Sequence, residues 1–239
     1  MNELREKIKD KKNLKFIAKG HFGEVYKLEF KGKNYAIKKI SKNTIDNNKS
    51  EWARNYRKNA LENEVDILKE MSGFENSVQF YDFFTEETGY VMVLEFCDTD
   101  LDKLLKSKGQ FTSLEILDIL EKLNKPFKYM YSNDIMHRDL KPENILIKYI
   151  DSTKTKFIPK IGDYGLTRKL EDGKAHTILG SPLYMSPEIL MKKNEYNDKS
   201  DLFSLGIMIY QLHFQSFPFE FPNTIEELNK FYTKKKRRL

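Results

Sequence analysis

The sequence predicts an α+β fold in two lobes. Three observations carry the prediction. Between residues 13 and 40, and again between 78 and 96, apolar and polar residues alternate with the two-residue period of a strand. From Asp100 onward the apolar spacing becomes helical. The change falls near residues 96–100, with no linker rich in Pro, Gly or Ser around it. Residues 1–96 therefore read as a small antiparallel-sheet lobe with one main helix, and residues 97–239 as a mainly helical lobe. A cleft is expected between them.

The elements follow in chain order. LKFIAK (14–19) and GEVYKLEF (23–30) read as strands, and YAIKKI (35–40) as a third. Lys31-Gly32-Lys33-Asn34 between the last two is a hairpin signal. Residues 41–59 are polar and read as a loop leading into a helix. Ala60 to Met71 carries apolar residues at 61, 65, 68 and 71 among strong helix formers, and Gly73 is placed to stop it. VQFYDFF and YVMVLEF, separated by TEETG, read as a further strand pair. LDKLLKSK opens the helical part. Thr112 with Glu115 forms a capping box for a helix reaching Asn133, with a kink or break predicted at Pro126. Leu202 to Leu212 reads as a buried helix, and Thr224 is placed to cap a last one ending at Tyr232.

Composition sets the outer bounds. The chain has 239 residues, 39% hydrophobic and 33% charged, with 17 Phe and 13 Tyr spread along it, so it can build a sizeable core. No apolar run has bilayer length; the longest is interrupted by Ser204 and Gly206. The N-terminus, MNELREKIKD, is charged from its third residue, which excludes a secretory signal. A single cysteine excludes a disulfide framework and a Cys-based zinc site, and His21, His137, His176 and His213 are too scattered for a metal cluster. The chain reads as soluble, intracellular and cytoplasmic. Its net charge of +6 is concentrated in the first residues and in Lys234 to Arg238. Such a tail is either a solvated, frayed end or a patch for nucleic acid, anionic lipid or an import receptor. No aromatic residue interleaves with the basic run to make a stacking groove, so no specific nucleic-acid partner is expected.

Several segments carry chemistry. Gly20-His21-Phe22-Gly23 lies between two strands, where glycines let backbone N–H groups approach phosphate oxygens; glycine turns in hairpins are also often purely structural. Lys38 sits in an apolar strand, as a snorkelling residue or as a point charge facing phosphates, in which case Glu64 could hold it. The segment IMHRDLKPENILI (135–147) packs a carboxylate, cations and an amide into a polar island between apolar flanks, which neither a core nor a plain turn explains. Ile161-Gly162-Asp163-Tyr164-Gly165 sets another carboxylate between glycines, and GSPLYMSPE (180–188) and SDLFSLG (200–206) follow.

In this order the motifs resemble those of the eukaryotic serine/threonine protein kinases, from about Leu14 to His213. Within the family the phrases EFC and GSPLYMSPEIL and the insertion after Ile147 are similar to the autophagy-initiating kinases. The resemblance implies a bilobal protein-kinase-like fold, an ATP-dependent phosphotransferase, ATP and Mg²⁺ as cofactors, and a protein substrate bearing Ser or Thr. It implies roles residue by residue. Asp139 orients the substrate hydroxyl and Lys141 stabilises charge on the γ-phosphoryl group. Lys38, held by Glu64, pairs the α- and β-phosphates. Asn144 and Asp163 hold Mg²⁺. Ala18, Gly20 and Gly23 belong to the phosphate loop. Val25, Ala36 and Leu146 sandwich adenine; Leu94 is the gatekeeper; Glu95, Phe96 and Cys97 form the hinge. Thr177 is a candidate phosphorylation site, with Arg138 and Arg168 as its partners.

The chain departs from the family pattern in several places. Ala18 stands at the loop's first glycine position. Tyr164 replaces the usual phenylalanine, and its hydroxyl needs a partner if buried. Its ring is expected to stack with Leu68, Phe80 and His137. Ser181 replaces a threonine and keeps a hydroxyl within reach of Asp139 and Lys141. Residues 148–160 are expected to extend a surface hairpin. The stretch after Asp201 is short for the family, so the last helices and the arginine that usually pairs with Glu188 are expected to be missing. That leaves Glu188 without its partner, either exposed or buried unpaired, and means either that the chain is a truncated product or fragment or that a partner protein covers the shortened lobe. It also keeps a second reading open, a weakly active or non-catalytic kinase-like module that binds nucleotide or a partner.

Overall fold

The computed structural model describes residues 1–19, 23–42, 51–170, 180–190 and 197–219, the side chains of 52–54 excepted. It has the two-lobed α+β architecture the sequence predicts. The first lobe is a five-stranded antiparallel sheet in the order β1-β2-β3-β5-β4, made of Lys15–Lys19, Glu24–Phe30, Lys33–Ser41, Phe80–Glu86 (β4) and Gly89–Glu95 (β5). Its main helix is α2, Glu51–Met71. The second lobe is built on α3 (Leu101–Lys108), α4 (Ser113–Ser132), α5 (Pro187–Leu190) and α6 (Lys199–Phe214). Short strands carry its loops: β6 (Thr99–Asp100), β8 (Ile145–Tyr149) and β9 (Phe157–Ile161) form one sheet, and β7 (Ile135–Met136) pairs with β10 (Arg168–Lys169).

The hairpin between β2 and β3 is tighter than expected. Phe30 pairs with Lys33 and Glu29 with Asn34, so only Lys31 and Gly32 turn the chain. Both have positive φ, 50° and 72°, as a two-residue hairpin turn requires. Along β3 the two-residue period sends Ile37 to one face of the sheet and Lys38 and Ile40 to the other. Along β5, Val91 and Val93 share the face of Ile37, and Met92 and Leu94 the opposite one.

The face bearing Ile37 is covered by α1 (Asn2–Lys9), a helix the sequence reading did not find. Leu4 and Ile8, one turn apart, bury against Leu28, Ile37, Val91 and Val93. Arg5 grips Asp82 of β4 with both ends of its fork, at 2.6 and 2.7 Å, and lies over the Phe84 ring. The Lys39 ammonium donates to the carbonyl of Ile8 at the helix end. The Arg5 hydrogen bond holds the Asp82 carboxyl below the ordinary aspartate range. A carboxylate lowered on folding stabilises the fold above its unfolded pKa and loses that contribution as pH falls through the folded value. Asp82→Asn should therefore unfold at lower denaturant than the parent at about pH 7, and the gap should close below about pH 4. An unchanged gap in acid would show that the pair contributes nothing through its charge.

Two expectations about helices need correction. The helix before Gly73 starts at Glu51, not at Ala60. Its first turns show no apolar period because residues 55–60 stand largely in solvent, where nothing selects for one. Pro126 breaks nothing: α4 runs through it, with Pro126 buried between Leu123 and Met130. The capping box at Thr112 forms as predicted, and residues 148–160 extend the β8–β9 hairpin, with its turn at 150–156 largely exposed. Among the described residues no helix is long and apolar enough to cross a membrane. The helix expected at 224–232 and the basic tail lie outside the described residues.

Candidate active site

The cleft between the lobes holds a cavity of about 390 Å³, within the range of small-molecule sites. Its apolar lining includes Val25 and Ala36 of the sheet, Leu94, the β5 partner of Ala36, and Leu146 of β8. Its polar lining includes Lys38, Glu64, Asn144 and Asp163, with Lys38 beside Glu64 and within reach of Asp163. Ala18 and Gly23 also belong to the lining; Gly20 lies outside the described residues. Gly23 has a reason of its own to be glycine. A Cβ there would lie 2.2 Å from the Lys39 carbonyl oxygen, so a side chain would push β2 off β3.

Lys38 and Glu64 meet at 2.5 Å with little solvent around either. Burial alone would lower the lysine pKa, but the carboxylates of Glu64 and then Asp163 overturn it and hold the ammonium above its ordinary range. The lysine is thus a fixed positive charge in the polar lining of the cavity.

The polar island of the sequence folds into a loop tied down from below. The Asp201 carboxylate of α6 accepts the backbone N–H groups of His137 at 2.6 Å and Arg138 at 3.0 Å. Burial pushes that carboxyl above the ordinary aspartate range against the pull of those donors. His137 donates from Nε2 to the Gly162 carbonyl at 3.0 Å, which leaves Nδ1 to accept the Asp139 N–H at 3.4 Å. Asp139 itself is surrounded by donors. Its Oδ1 accepts the Ser181 N–H at 2.9 Å, and its Oδ2 takes the Asn144 amide and the Lys141 ammonium, both at 2.9 Å. The same ammonium donates to the Ser181 hydroxyl at 2.7 Å. Ser181 therefore reaches Lys141 with its hydroxyl, as expected, but reaches Asp139 through its backbone. The approach is close: a Cβ on Gly180, at φ 119°, would sit 2.3 Å from the Arg138 carbonyl oxygen.

A family model of the protein kinase domain matches residues 12–238. The chain belongs to the protein kinase domain family. It is 32% identical to calcium-dependent protein kinase 4 of Plasmodium berghei over 94% of this chain and 41% of that one. It is 34% identical to serine/threonine-protein kinase atg1 of Dictyostelium discoideum over 89% of this chain and 31% of that one. Serine/threonine-protein kinase Nek5 of Mus musculus matches at 32% over 88% of this chain and 32% of its own. The chain spans less than half the length of these relatives.

Within this kinase domain, Glu95 of the expected hinge is tied into the sheet and to two lysines. The Glu95 N–H already donates to the Gln79 carbonyl at 2.8 Å. The Glu95 side chain turns away to Lys148 at 2.6 Å and Lys160 at 3.0 Å, and these lysines hold its carboxyl below the usual range although burial pushes it up. Nothing in the sequence reading flagged this buried ionic cluster; two lysines on neighbouring strands carry no signature until the sheet places them. Cys97 borders the cavity, and burial, with Glu95 adding, pushes its thiol up to about 12. Only the thiolate alkylates. Iodoacetamide at about pH 8 should label the folded domain at least about a hundredfold more slowly than the unfolded chain. Equal rates would contradict the burial.

The expectation for Glu188 is corrected. It is half-buried, not stranded, and the Ser200 hydroxyl donates to its Oε1 at 2.8 Å. Leu68, Phe80 and Tyr164 do pack in one core, with the Tyr164 ring 5.6 Å from His137. The Tyr164 hydroxyl finds its partner in Ser77, at 2.6 Å. Arg138 is buried at φ 70°, and Arg168 of β10 lies over the Tyr56 ring of α2, 5.3 Å from its centroid. Thr177 and His176 lie outside the described residues.

Proposed function

We propose that this chain is a serine/threonine protein kinase domain that transfers the γ-phosphoryl group of ATP to hydroxyls of a protein substrate. The observation that carries the reading is one juxtaposition. An apolar slot shares its lining with a buried cation and two oxygen-bearing side chains, and one of these, Asn144, donates to Asp139 in a carboxylate-lysine-serine network. The slot of Val25, Ala36 and Leu146 suits the flat face of adenine, with Leu94 limiting its depth and the backbone of residues 95–97 at its edge. Lys38 faces the phosphates. Asp163 and Asn144 offer hard oxygen donors, the set that fits Mg²⁺, which takes one or two carboxylates beside substrate phosphates. Bound Mg²⁺ would supply neutralisation of phosphate charge. Asp139 receives the substrate hydroxyl and accepts its proton; Lys141 is held beside it to balance the transferring group. Phosphoryl transfer asks a protein mainly for positioning and charge, and these residues supply both.

All of these charged positions being filled favours an enzyme over a binding module. The lobes meet at residues 96 and 97 in this reading. Arg138 and Arg168 are the proposed partners of a phosphate on Thr177. Relatives of several subfamilies match at similar identity, and the likeness to the autophagy-initiating kinases stands on the phrases EFC and GSPLYMSPEIL. The test is phosphate transfer from MgATP to a basic protein substrate, with Asp139→Asn as control. A folded chain that transfers none would overturn the reading.

A further inference from the structure

Tyr164 is the residue after the candidate metal ligand, and its hydroxyl lies in the protein interior. The ring has no solvent exposure, and neither has Ser77, whose hydroxyl it meets at 2.6 Å. Ser77 sits between α2 and β4, on a segment laced to β9. Asn76 accepts the Ile161 N–H at 2.9 Å, and Val78 donates to the Ile161 carbonyl at 3.0 Å. The Ser77 N–H donates to Phe74, and its carbonyl accepts the Gln79 amide at 2.9 Å. Its backbone is thus fixed on both sides, and its hydroxyl stands at a fixed point. Nothing in the proposed chemistry uses that hydroxyl.

Asp163, in contrast, needs fixing. It is exposed to the cleft and has φ 52° and ψ 71°, the left-handed region, which a residue with a side chain keeps only when its surroundings impose it. On its N-terminal side Gly162 is held by the Asn144 carbonyl at 2.9 Å and by His137. On its C-terminal side the first anchor is Tyr164, through its ring against His137 and its hydroxyl on Ser77.

We infer that Ser77 is a positioning residue: by holding the Tyr164 hydroxyl it fixes the turn at 163–164 and so sets where Asp163 presents its carboxylate. The inference rests on the reading of Asp163 as a metal ligand. Without the Ser77 hydroxyl, the buried tyrosine O–H loses its described partner, and leaving it unpaired is costly. That cost loosens the hold on the ring and on the turn it anchors. Removing both hydroxyls restores a wholly apolar contact, which is close to neutral. The pair therefore predicts a pattern that general damage would not give.

The experiment is ADP binding by calorimetry, with and without Mg²⁺, on the full chain, on Ser77→Ala, on Tyr164→Phe/Ser77→Ala and on Asp163→Asn. Ser77→Ala should bind metal-free ADP like the parent but lose about tenfold in the affinity gained from Mg²⁺. The double variant should recover most of that loss. Hydrogen exchange at residues 162–167 should quicken in Ser77→Ala and slow again in the double variant. If Asp163→Asn keeps the full Mg²⁺ gain, the metal reading itself is wrong. If Asp163→Asn loses the gain while Ser77→Ala keeps it, or the double variant recovers nothing, the metal reading stands and the positioning role falls.

Discussion

Asp139→Asn should lower phosphate transfer from MgATP by about 10³-fold, the loss typical of removing a general base. Asparagine has the same shape, and its carbonyl oxygen can still accept the Ser181 N–H. Its amide group, however, would face the Lys141 ammonium and the Asn144 amide, donors that now converge on Oδ2. Donor against donor is repulsive, so the network must open as well as lose its base. The lesion should stay local. Asp139 is not part of the cavity wall, and the loop is anchored independently by Asp201, so ADP affinity and the unfolding midpoint should change little. Rates within tenfold of the parent would remove Asp139 from the proposed mechanism.

The second large effect is at Lys38 and Glu64. Breaking a buried pair by deleting one partner leaves an uncompensated charge and costs about 3–5 kcal/mol. Glu64→Leu should therefore destabilise the domain strongly, with the stranded ammonium drawn towards Asp163, its other carboxylate neighbour. Lys38→Met/Glu64→Leu removes both charges and should recover most of the stability, since well-packed apolar replacements of buried pairs are often neutral. Transfer should stay lost in both variants: in the single variant the ammonium is drawn off the phosphates towards Asp163, and in the double variant the Lys38 cation is gone. Denaturant unfolding beside an activity assay reads this separation. Equal stability of single and double variants would show that the pair is not buried as described. A lysine held above its ordinary pKa stays charged until pH rises through the raised value, so the pair's contribution should be flat between about pH 6 and pH 9.

The candidate catalytic segment was legible because its chemistry is local. HRDLKPEN is a run of charged and amide residues between apolar flanks, and the structure joins its members within a few ångströms. The strands of the first lobe were legible because burial on a sheet alternates by residue. Where burial did not imprint the sequence, reading failed. Residues 55–60 of α2 stand largely in solvent, so they carry no period to read. Pro126 is tolerated because its place inside α4 is held by packing, which no local rule weighs. The short charged α1 gave no signal by itself, since Leu4 and Ile8 become a stripe only when Leu28, Ile37, Val91 and Val93 face them.

Residue type and spacing, which act over a few neighbours, set which chemical groups this protein owns, their order, and most of the strands and helices that carry them, though not α1 or the start of α2. The tertiary structure alone decided which distant groups meet. Ser77 reaches Tyr164, Asp201 reaches the backbone of 137–138, and Glu95 draws in Lys148 and Lys160. A hydroxyl or a carboxylate has a meaning only through the partner that burial forces upon it, and that partner is chosen by packing across the whole chain.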